Sequence, residues 1–338
     1  MSDVTSDGID HEWQRWAAIM LLNEIPVTEV VETMVAEGID EREAARACAQ
    51  CFGNPFFEAG KHSTQQLRKL ESVLDMLQKM RDLSPAPRAV DRRSGLSRDE
   101  FLNEYYALNR PVILDDVCND WPAREVWDAD YLVGVLGHEE VEVQADRESD
   151  PEYELNSDEH KFRMPFDEYV SKITSVGSSN DFYLVANNGL LSTAAASPLW
   201  EDFREDVRYL AKDRRHKHTY LWFGPGGTIT PLHHDSMNIL FQQVKGTKDF
   251  IMVSPLETHL VYNNVSVYSD VDAKSPDLEL HNRYALAHPL RFTMEPGEAL
   301  FIPVGWWHHV EARDLSVSVS STNFAFANDV DLFDPDRL

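Results

Sequence analysis

Residues whose side chains could bind a metal ion occur close together in TPLHHDSMNILFQQVKGTKDF, which spans 230–250. His233 and Asp235 are two residues apart, and the neighbouring runs TYLWF and NILFQQV are rich in β-forming residues. Because residues i and i+2 of a strand point to the same face, this spacing predicts an imidazole and a carboxylate side by side, with His234 turned away. A metal ion held by these two groups alone would be weakly bound, so a further ligand is expected.

The further ligand can come from a distant strand of a barrel. The segment IPVGWWHHVEA (302–312) places His308 and His309 in a β-type context, and residue types alone leave open which of the two would bind. Two imidazoles and one carboxylate, with open positions opposite, form the facial triad of non-haem Fe(II) oxygenases. The alternative is that these histidines are ordinary core or surface residues. Their combination with a β-barrel pattern favours the metal site.

The elements that must position these residues are short β-like runs punctuated by glycine and proline. They are RPVILDD (110–116), EEVEVQA (139–145), DFYLVAN (181–187), TYLWFG, MNILFQQV, KDFIMV, LRFTM, EALFIP and LSVSVSSTNF. Many short strands with turn signals predict an antiparallel sandwich or barrel. In the last run, Leu315, Val317 and Val319 alternate with serines, which predicts a strand buried on one face only.

The chain before these strands has helical patterns. Apolar spacing over residues 11–82 predicts an all-α N-terminal domain (1–82), and the proline- and glycine-containing segment LSPAPRAVDRRSG indicates a linker (83–97) before a catalytic domain (98–338). Asp40 and Glu43 are a plausible capping pair for one helix.

Four leucines mark the longest predicted helix. Leu67, Leu70, Leu74 and Leu77 are spaced three, four and three residues apart, over less than two heptads. A packed helix is therefore predicted in preference to a coiled coil.

Composition excludes some functions. Asp and Glu number 58 against 31 Lys and Arg, a net charge of −27, which disfavours nucleic acid as a partner because phosphates must be neutralised by cations. The basic cluster KDRRHKH (212–218) is short.

A basic-then-apolar leader and an apolar run of about 18 residues are both absent, so we expect a soluble cytoplasmic protein without a membrane partner. Cys48 and Cys51 form a CxxC without a second pair, and are predicted to be helix residues rather than zinc ligands.

With these motifs in place, the region 98–338 resembles the JmjC, cupin-like family of 2-oxoglutarate- and Fe(II)-dependent oxygenases, in particular its protein (asparaginyl) hydroxylase branch. The segments that carry the resemblance are NRPVILDDV, FYLVANN (182–188), GTITPLHHDSMNILFQQVKGTKDFIMVSP, EPGEALFIPVGWWHHVEA and VSSTNF. The resemblance implies a double-stranded β-helix of the jelly-roll, cupin-like type as the mainly β catalytic domain. It also implies Fe(II) as cofactor, with 2-oxoglutarate and O₂ as co-substrates.

The resemblance also assigns metal ligands. The HxD motif of the family matches His233 and Asp235, and its distal histidine follows a Trp-Trp pair, which selects His308. His309 is then expected to point away from the metal. Trp306 and Trp307 are interpreted as walls of the site, with an aromatic core position as the alternative.

Three further residues, Lys248, Thr230 and Tyr183, match positions that anchor the distal carboxylate of 2-oxoglutarate in the family, and Asn323 matches a family asparagine near the co-substrate. A desolvated dicarboxylate requires a buried cation and hydroxyl donors, which these residue types provide. Thr230 and His233 lie on opposite faces of an ideal strand, so we expect Pro231 or a bulge to interrupt the alternation.

The implied function is hydroxylation of an amino-acid side chain in a peptide or protein. Two alternatives remain: N-methyl-lysine demethylation by the same chemistry, and a non-catalytic cupin-like binding module. The segment 138–160 holds ten acidic residues and one arginine, from which we expect a cationic substrate, with a solvated acidic loop as the alternative. A homodimer formed through the N-terminal helices is a further expectation.

Overall fold

A computed structural model describes residues 9–84, 88–186 and 188–328. The chain divides into two compact units between Met80 and Arg81. The predicted domain limits remain a prediction, and three residues of the predicted linker (Asp91–Arg93) form a strand that pairs in parallel with Val112–Leu114. None of the helices in the described ranges is long and apolar enough to cross a bilayer.

The first unit consists of helices. They are α1 (His11–Leu22), α2 (Val27–Ala36), α3 (Glu41–Cys51) and α4 (Pro55–Arg81), whose last residue belongs to the second unit. Asp40 caps α3 by accepting from the backbone N–H groups of Arg42 and Glu43 at 3.0 and 3.3 Å. Cys48 and Cys51 lie in α3 as free thiols, and burial raises the pKa of each.

Helix α4 departs from the packed helix that its leucines predict. Leu67 is 60% exposed and Leu70 62% exposed, so its apolar stripe is largely open to solvent. The 3,4 spacing predicts an amphipathic helix correctly, but it does not identify a partner for the apolar face.

The second unit holds twelve short strands among its described residues. They are β1 (Asp91–Arg93), β2 (Val112–Leu114), β3 (Glu140–Gln144), β4 (Lys161–Pro165), β5 (Thr219–Gly224), β6 (Ile229–His233), β7 (Ile239–Lys245), β8 (Lys248–Val253), β9 (Leu290–Met294), β10 (Ala299–Ile302), β11 (Trp307–Ala312) and β12 (Ser316–Ser321). Its helices are α5 (Arg98–Phe101), α6 (Ala123–Val126), α7 (Ala129–Leu136), α8 (Phe166–Val176), α9 (Leu199–Asp202) and α10 (Arg215–His218), with a π-helical turn at Leu102–Tyr106.

The strands form two principal sheets. One has six strands in the order β1-β2-β10-β7-β12-β5, and the other has four in the order β6-β11-β8-β9; β3 and β4 pair separately. All pairings within the two principal sheets are antiparallel except that of β1 with β2. One buried cluster takes residues from both sheets, including Phe241 of the larger sheet and Phe250 of the smaller, so the sheets pack face to face. This is the predicted double-stranded β-helix.

Strand β12 is buried on both faces rather than on one. Val317 and Val319 join the core on the outer face of the six-stranded sheet. The serines point between the sheets, where Ser318 donates to Gln243 at 2.9 Å and Ser320 accepts from Trp222 at 2.8 Å. Polar residues with buried partners thus produce the same alternation as polar residues facing water.

Candidate metal centre and co-substrate pocket

The structure brings His233, Asp235 and His308 together between the two sheets. Their ligand atoms all lie within 4.8 Å of one another. Within the described ranges, no other group of three or more His, Cys, Asp or Glu side chains is close enough to hold a metal ion. His308 Nε2 is 3.3 Å and His233 Nε2 3.9 Å from Asp235 Oδ2. Two ligands at right angles around a metal about 2.0–2.2 Å away would be roughly 3 Å apart, so small adjustments would admit an ion.

Strand pairing places the two histidines, and a loop places the carboxylate. His308 of β11 lies directly opposite His233 of β6. Strand β6 ends at His233, so Asp235 lies in the following loop rather than on the predicted strand. The Asp235 carbonyl accepts from the Gly305 N–H at 3.2 Å, which connects this loop to the turn that precedes β11.

Both imidazoles are oriented for metal binding by their second ring nitrogen. His233 Nδ1 lies 2.8 Å from the Pro231 carbonyl oxygen, and His308 Nδ1 lies 2.9 Å from that of Trp306. A carbonyl oxygen can only accept, so each Nδ1 carries a proton, and Nε2 is the ring nitrogen left to bind a metal ion. This outer hydrogen bond is typical of metal-binding histidines.

The charge states of the cluster also suit a divalent cation. Burial, together with the neighbouring His308, lowers the pKa of His233 to about 4, so the ring is neutral at physiological pH. Burial opposes ionisation of Asp235, but the hydrogen bond from His308 and the nearby imidazoles outweigh it and hold the pKa of Asp235 below its ordinary value. Two imidazoles and one carboxylate are the donor set of a 2-His-1-carboxylate iron site.

His309 points away from the cluster, as expected. It is 4% exposed, and neither ring nitrogen has a hydrogen-bond partner among the described residues. His234 also turns away and packs edge-on against Trp307 with ring centroids 4.6 Å apart. Trp306 and Trp307 do not line the cavity. Their indole nitrogens donate to Asn109 and Thr258, so both are core residues.

The three candidate metal ligands face a cavity of about 190 Å³ between the sheets. Its polar lining includes Tyr183, Thr230, Lys248 and the three candidate ligands. The remaining walls are mainly apolar, and they include Trp222, Ile239, Phe241, Phe250, Ile302 and Val310. A cavity with apolar walls and a few convergent polar groups is the usual form of a small-molecule site.

Lys248 is the most informative polar group in this cavity. Its side chain is 1% exposed, and Nζ donates to Tyr183 Oη at 2.9 Å. Burial lowers its pKa to about 7, and no carboxylate among the described residues forms an ion pair with it. A buried cation without a counter-ion is costly, so this position fits an anionic ligand.

The predicted interruption of β6 is present. Thr230 lies opposite Val310, whereas His233 lies opposite His308, so three steps along β6 match two along β11. This β-bulge brings Thr230 to the same cavity as His233, where it lines the wall together with Tyr183. The three residues predicted at the distal carboxylate therefore meet at one end of the cavity.

Asn323 is not brought to this cavity. Its Nδ2 donates to Glu205 Oε1 and to the Ala211 carbonyl, both at 2.8 Å, and its side chain is absent from the lining. The lining contains Ser320 and Thr322, which share a face in the period-2 pattern, and Asn323 falls on the opposite face. Asn323 lies two residues beyond the end of β12 and on the side away from the cavity.

Several wall residues were missed by the sequence reasoning. Tyr220 and Trp222 of β5, and Ile239 and Phe241 of β7, line the cavity in i, i+2 pairs, while Leu221 and Phe223 enter the outer core. The alternation within TYLWF would have identified the first pair. Phe241 also contacts the lysine, whose Nζ is 5.4 Å from its ring centroid.

Comparison with known proteins agrees with this fold. Residues 97–326 match the family model described as a cupin-like domain. Lysine-specific demethylase 8 of Xenopus tropicalis is 30% identical over 66% of this chain and 50% of its own length. Lysine-specific demethylase JMJ30 of Arabidopsis thaliana is 31% identical over 68% of this chain and 54% of its own length. The tRNA wybutosine-synthesizing protein 5 of Gallus gallus is 25% identical over 68% of this chain and 76% of its own length.

The fold and the group formed by His233, Asp235 and His308 define a cupin-type oxygenase domain. The chain belongs to the JmjC, cupin-like family of 2-oxoglutarate- and Fe(II)-dependent oxygenases, whose cofactor is Fe(II) and whose co-substrates are 2-oxoglutarate and O₂. It spans about half the length of the two demethylase relatives.

Proposed function

We propose that this chain is a 2-oxoglutarate-dependent dioxygenase that hydroxylates an amino-acid side chain in a peptide or protein. The observation that carries the proposal is one cavity with a metal-ligand cluster, His233, Asp235 and His308, and a buried cation without a counter-ion, Lys248. A dicarboxylate that chelates a metal through one end and needs a cation at the other fits this arrangement.

Each residue then has a defined task. His233, Asp235 and His308 hold Fe(II), and Lys248, with Tyr183 and Thr230, receives the distal carboxylate of 2-oxoglutarate. When bound, the iron and 2-oxoglutarate supply O₂ activation coupled to release of CO₂ and succinate. The hydrogen bonds at Nδ1 hold both imidazole rings in place, and the apolar walls exclude water from the reacting groups.

The cavity favours hydroxylation of an uncharged group. Among its lining residues the only carboxylate is Asp235, which is assigned to the metal. The exposed residues Ser236 and Met237 lie at its edge, where a side chain could enter. An ammonium group near the metal would lack a counter-charge of its own, so entry of a neutral side chain with a reactive C–H bond costs less.

N-methyl-lysine demethylation is the second candidate, and the observation in its favour is the name of two relatives at 30 and 31% identity. Both reactions consume 2-oxoglutarate and release succinate, so succinate alone separates an oxygenase from a non-catalytic binding module. Formaldehyde separates the two oxygenase reactions, because loss of an N-methyl group releases it and hydroxylation of a stable carbon does not.

The proposal is tested with protein loaded anaerobically with Fe(II) and 2-oxoglutarate, then exposed to O₂ with peptides captured from the native lysate. We expect succinate release that depends on the peptide, a peptide mass gain of one oxygen atom, and no formaldehyde. Formaldehyde with loss of a methyl group would establish demethylation instead. No succinate above a His308→Ala control with any captured peptide would support a binding module.

We further propose a cationic substrate, on the basis of the acidic segment 138–160. Several of its carboxylates have structural partners: Glu148 accepts from Ser179, Asp150 from Asn156, and Glu154 from Arg147. None of them lines the metal cavity, so any attraction would act at longer range. The informative variant is Glu152→Gln with Glu159→Gln, since both residues are exposed.

The salt dependence of substrate turnover tests this proposal. A cationic substrate should show a higher KM in the variant and a smaller increase of KM with salt than in the wild type. Identical KM values across the salt series would show that the acidic segment is only a solvated loop.

Self-association through the N-terminal helices remains a proposal, supported by the exposed leucines of α4. Leu70→Glu should then convert a dimer to a monomer in sedimentation analysis, whereas Ser72→Glu on the same helix should not. A wild-type monomer at high concentration would contradict the proposal.

A further inference from the structure

A second buried cation lies behind the co-substrate end of the cavity. Arg147 is fully buried, and its Nη2 donates to Glu154 Oε1 at 2.9 Å and to the Ile229 carbonyl at 2.6 Å. Its Nε and Nη1 have no hydrogen-bond partner in the part of the chain that the structure describes. Burial of an arginine with only part of its donors satisfied is costly, which calls for an explanation.

Arg147 contacts two groups that shape the co-substrate end. Its guanidinium carbon lies 5.4 Å from the ring centroid of Tyr183, the residue whose hydroxyl accepts from Lys248. The Ile229 carbonyl that it holds immediately precedes Thr230 in β6. Tyr153, stacked 4.3 Å from the same guanidinium, donates to that carbonyl as well, at 3.2 Å.

Glu154 extends the contact to the metal end. Tyr268 donates to Glu154 Oε2 at 3.4 Å, and its ring lies 5.9 Å from that of His233. The backbones of Tyr268 and His233 also form a β-bridge. One ion pair thus touches neighbours of both the proposed 2-oxoglutarate site and the proposed metal site.

We propose that Arg147 and Glu154 are positioning residues of the co-substrate pocket, with opposite electrostatic effects on 2-oxoglutarate. The inference rests on the proposed function. Arg147 fixes Tyr183 and the start of β6 and adds positive potential behind the distal carboxylate. Glu154 orients Arg147 and offsets that potential. Because Arg147 and Glu154 neutralise each other, Lys248 is the cation without a counter-ion that contacts the distal carboxylate of 2-oxoglutarate.

The opposite signs provide the test. The affinity for 2-oxoglutarate is measured by calorimetry on protein loaded with Mn(II) without O₂, for wild type, Arg147→Met, Glu154→Gln and the double variant. Arg147→Met leaves Glu154 uncompensated and should weaken binding about tenfold or more, whereas Glu154→Gln should strengthen it by a similar factor. The double variant should recover the electrostatic part of the loss and bind more tightly than Arg147→Met, and Arg147→Lys, which keeps the charge, should bind more tightly than Arg147→Met as well.

A purely structural ion pair would behave differently. Both single variants would then lower the melting temperature, and both would weaken or leave unchanged the binding of 2-oxoglutarate. That outcome overturns the proposal. If Arg147→Met does not fold, Glu154→Gln decides alone, because unchanged or weaker binding contradicts the expected gain.

Two controls complete the design. The exposed pair Arg204 and Asp120 serves as a matched control, since Arg204→Met and Asp120→Asn should leave binding unchanged. Absence of metal-dependent 2-oxoglutarate binding in the wild type would instead refute the proposed function.

Discussion

Replacing Lys248 by methionine should raise the stability of the ligand-free protein and lower its affinity for 2-oxoglutarate. Methionine keeps the length and apolar stem of lysine but removes the charge. The folded protein lowers the pKa of Lys248 from 10.5 to about 7, which corresponds to about 3–5 kcal/mol of unfavourable free energy for the charged form. The hydrogen bond to Tyr183 returns about 0.5–1.5 kcal/mol of this. We therefore expect Lys248→Met to stabilise the ligand-free protein by about 2 kcal/mol or more, which raises Tm by about 4 °C or more.

The pH dependence of this gain has a defined sign. Between about pH 7 and 10.5 the folded wild type binds fewer protons at Lys248 than the unfolded chain does, so wild-type stability rises with pH across that window. The variant lacks this dependence. Its advantage should be complete near pH 7 and below, and should disappear as the pH approaches 10.5.

Binding of 2-oxoglutarate should move in the other direction. Removing one partner of a buried charge pair costs about 3–5 kcal/mol, so the variant should lose about two to three orders of magnitude in 2-oxoglutarate affinity while retaining its metal. In the wild type, binding above pH 7 should take up a proton, detectable by calorimetry in buffers of different ionisation enthalpy.

Thermal melts and calorimetry on the metal-loaded protein measure both effects. Lys245→Met is the matched control, because Lys245 lies three residues away and donates to the exposed Glu125 carbonyl at 3.2 Å; it should change neither quantity. A Lys248→Met protein that is less stable without ligand and binds 2-oxoglutarate normally would refute the reasoning.

Two further predictions concern ligand identity. His308→Ala should lose Fe(II) binding and 2-oxoglutarate turnover together, whereas His309→Ala should keep metal affinity; metal titration checks both, and the reverse result would show that His309 is the distal ligand. Asn323→Ala should lower the free energy of unfolding by about 1–3 kcal/mol, because it leaves buried Glu205 without its amide donor, while the KM for 2-oxoglutarate stays unchanged. A KM raised tenfold in a stable Asn323→Ala protein would place that residue at the co-substrate after all.

Much of the fold could be predicted because strands between two apolar layers need dense β-forming runs. The runs that became β5, β7, β8, β9, β10 and β12 were all identified as strands. FYLVANN was harder: within it Tyr183 and Leu184 make isolated bridges rather than a regular strand. Strand β4 was missed because KFRMP lacks β-branched residues and pairs only with β3.

The candidate site contains residues that the sequence pattern predicts and others that it does not. Residue type and spacing predict that His233 shares a metal ion with His308 or His309, since metal chemistry restricts the ligands to a few side chains, and the resemblance to the family then selects His308. The environment of Arg147 could not be foreseen, although it is the single arginine of the acidic segment 138–160, which has no lysine. Its burial depends on Glu154, Tyr153 and the Ile229 carbonyl, and contacts with Ile229 join segments about 80 residues apart. Sequence alternation does not encode such contacts.

The bulge in β6 shifts the side-chain alternation of the strand by one residue. Residues up to Thr230 follow one inside-outside alternation, and residues from His233 follow the other. Without the bulge and at unchanged length, the strand would leave either the threonine or the histidine facing the cavity, but not both, because the two are three residues apart. Deletion of Pro231 or Leu232 would instead place them two residues apart, where a regular strand presents both side chains to one face without a bulge. In this fold the spacing between the two motifs is as much a part of the site as the side chains are.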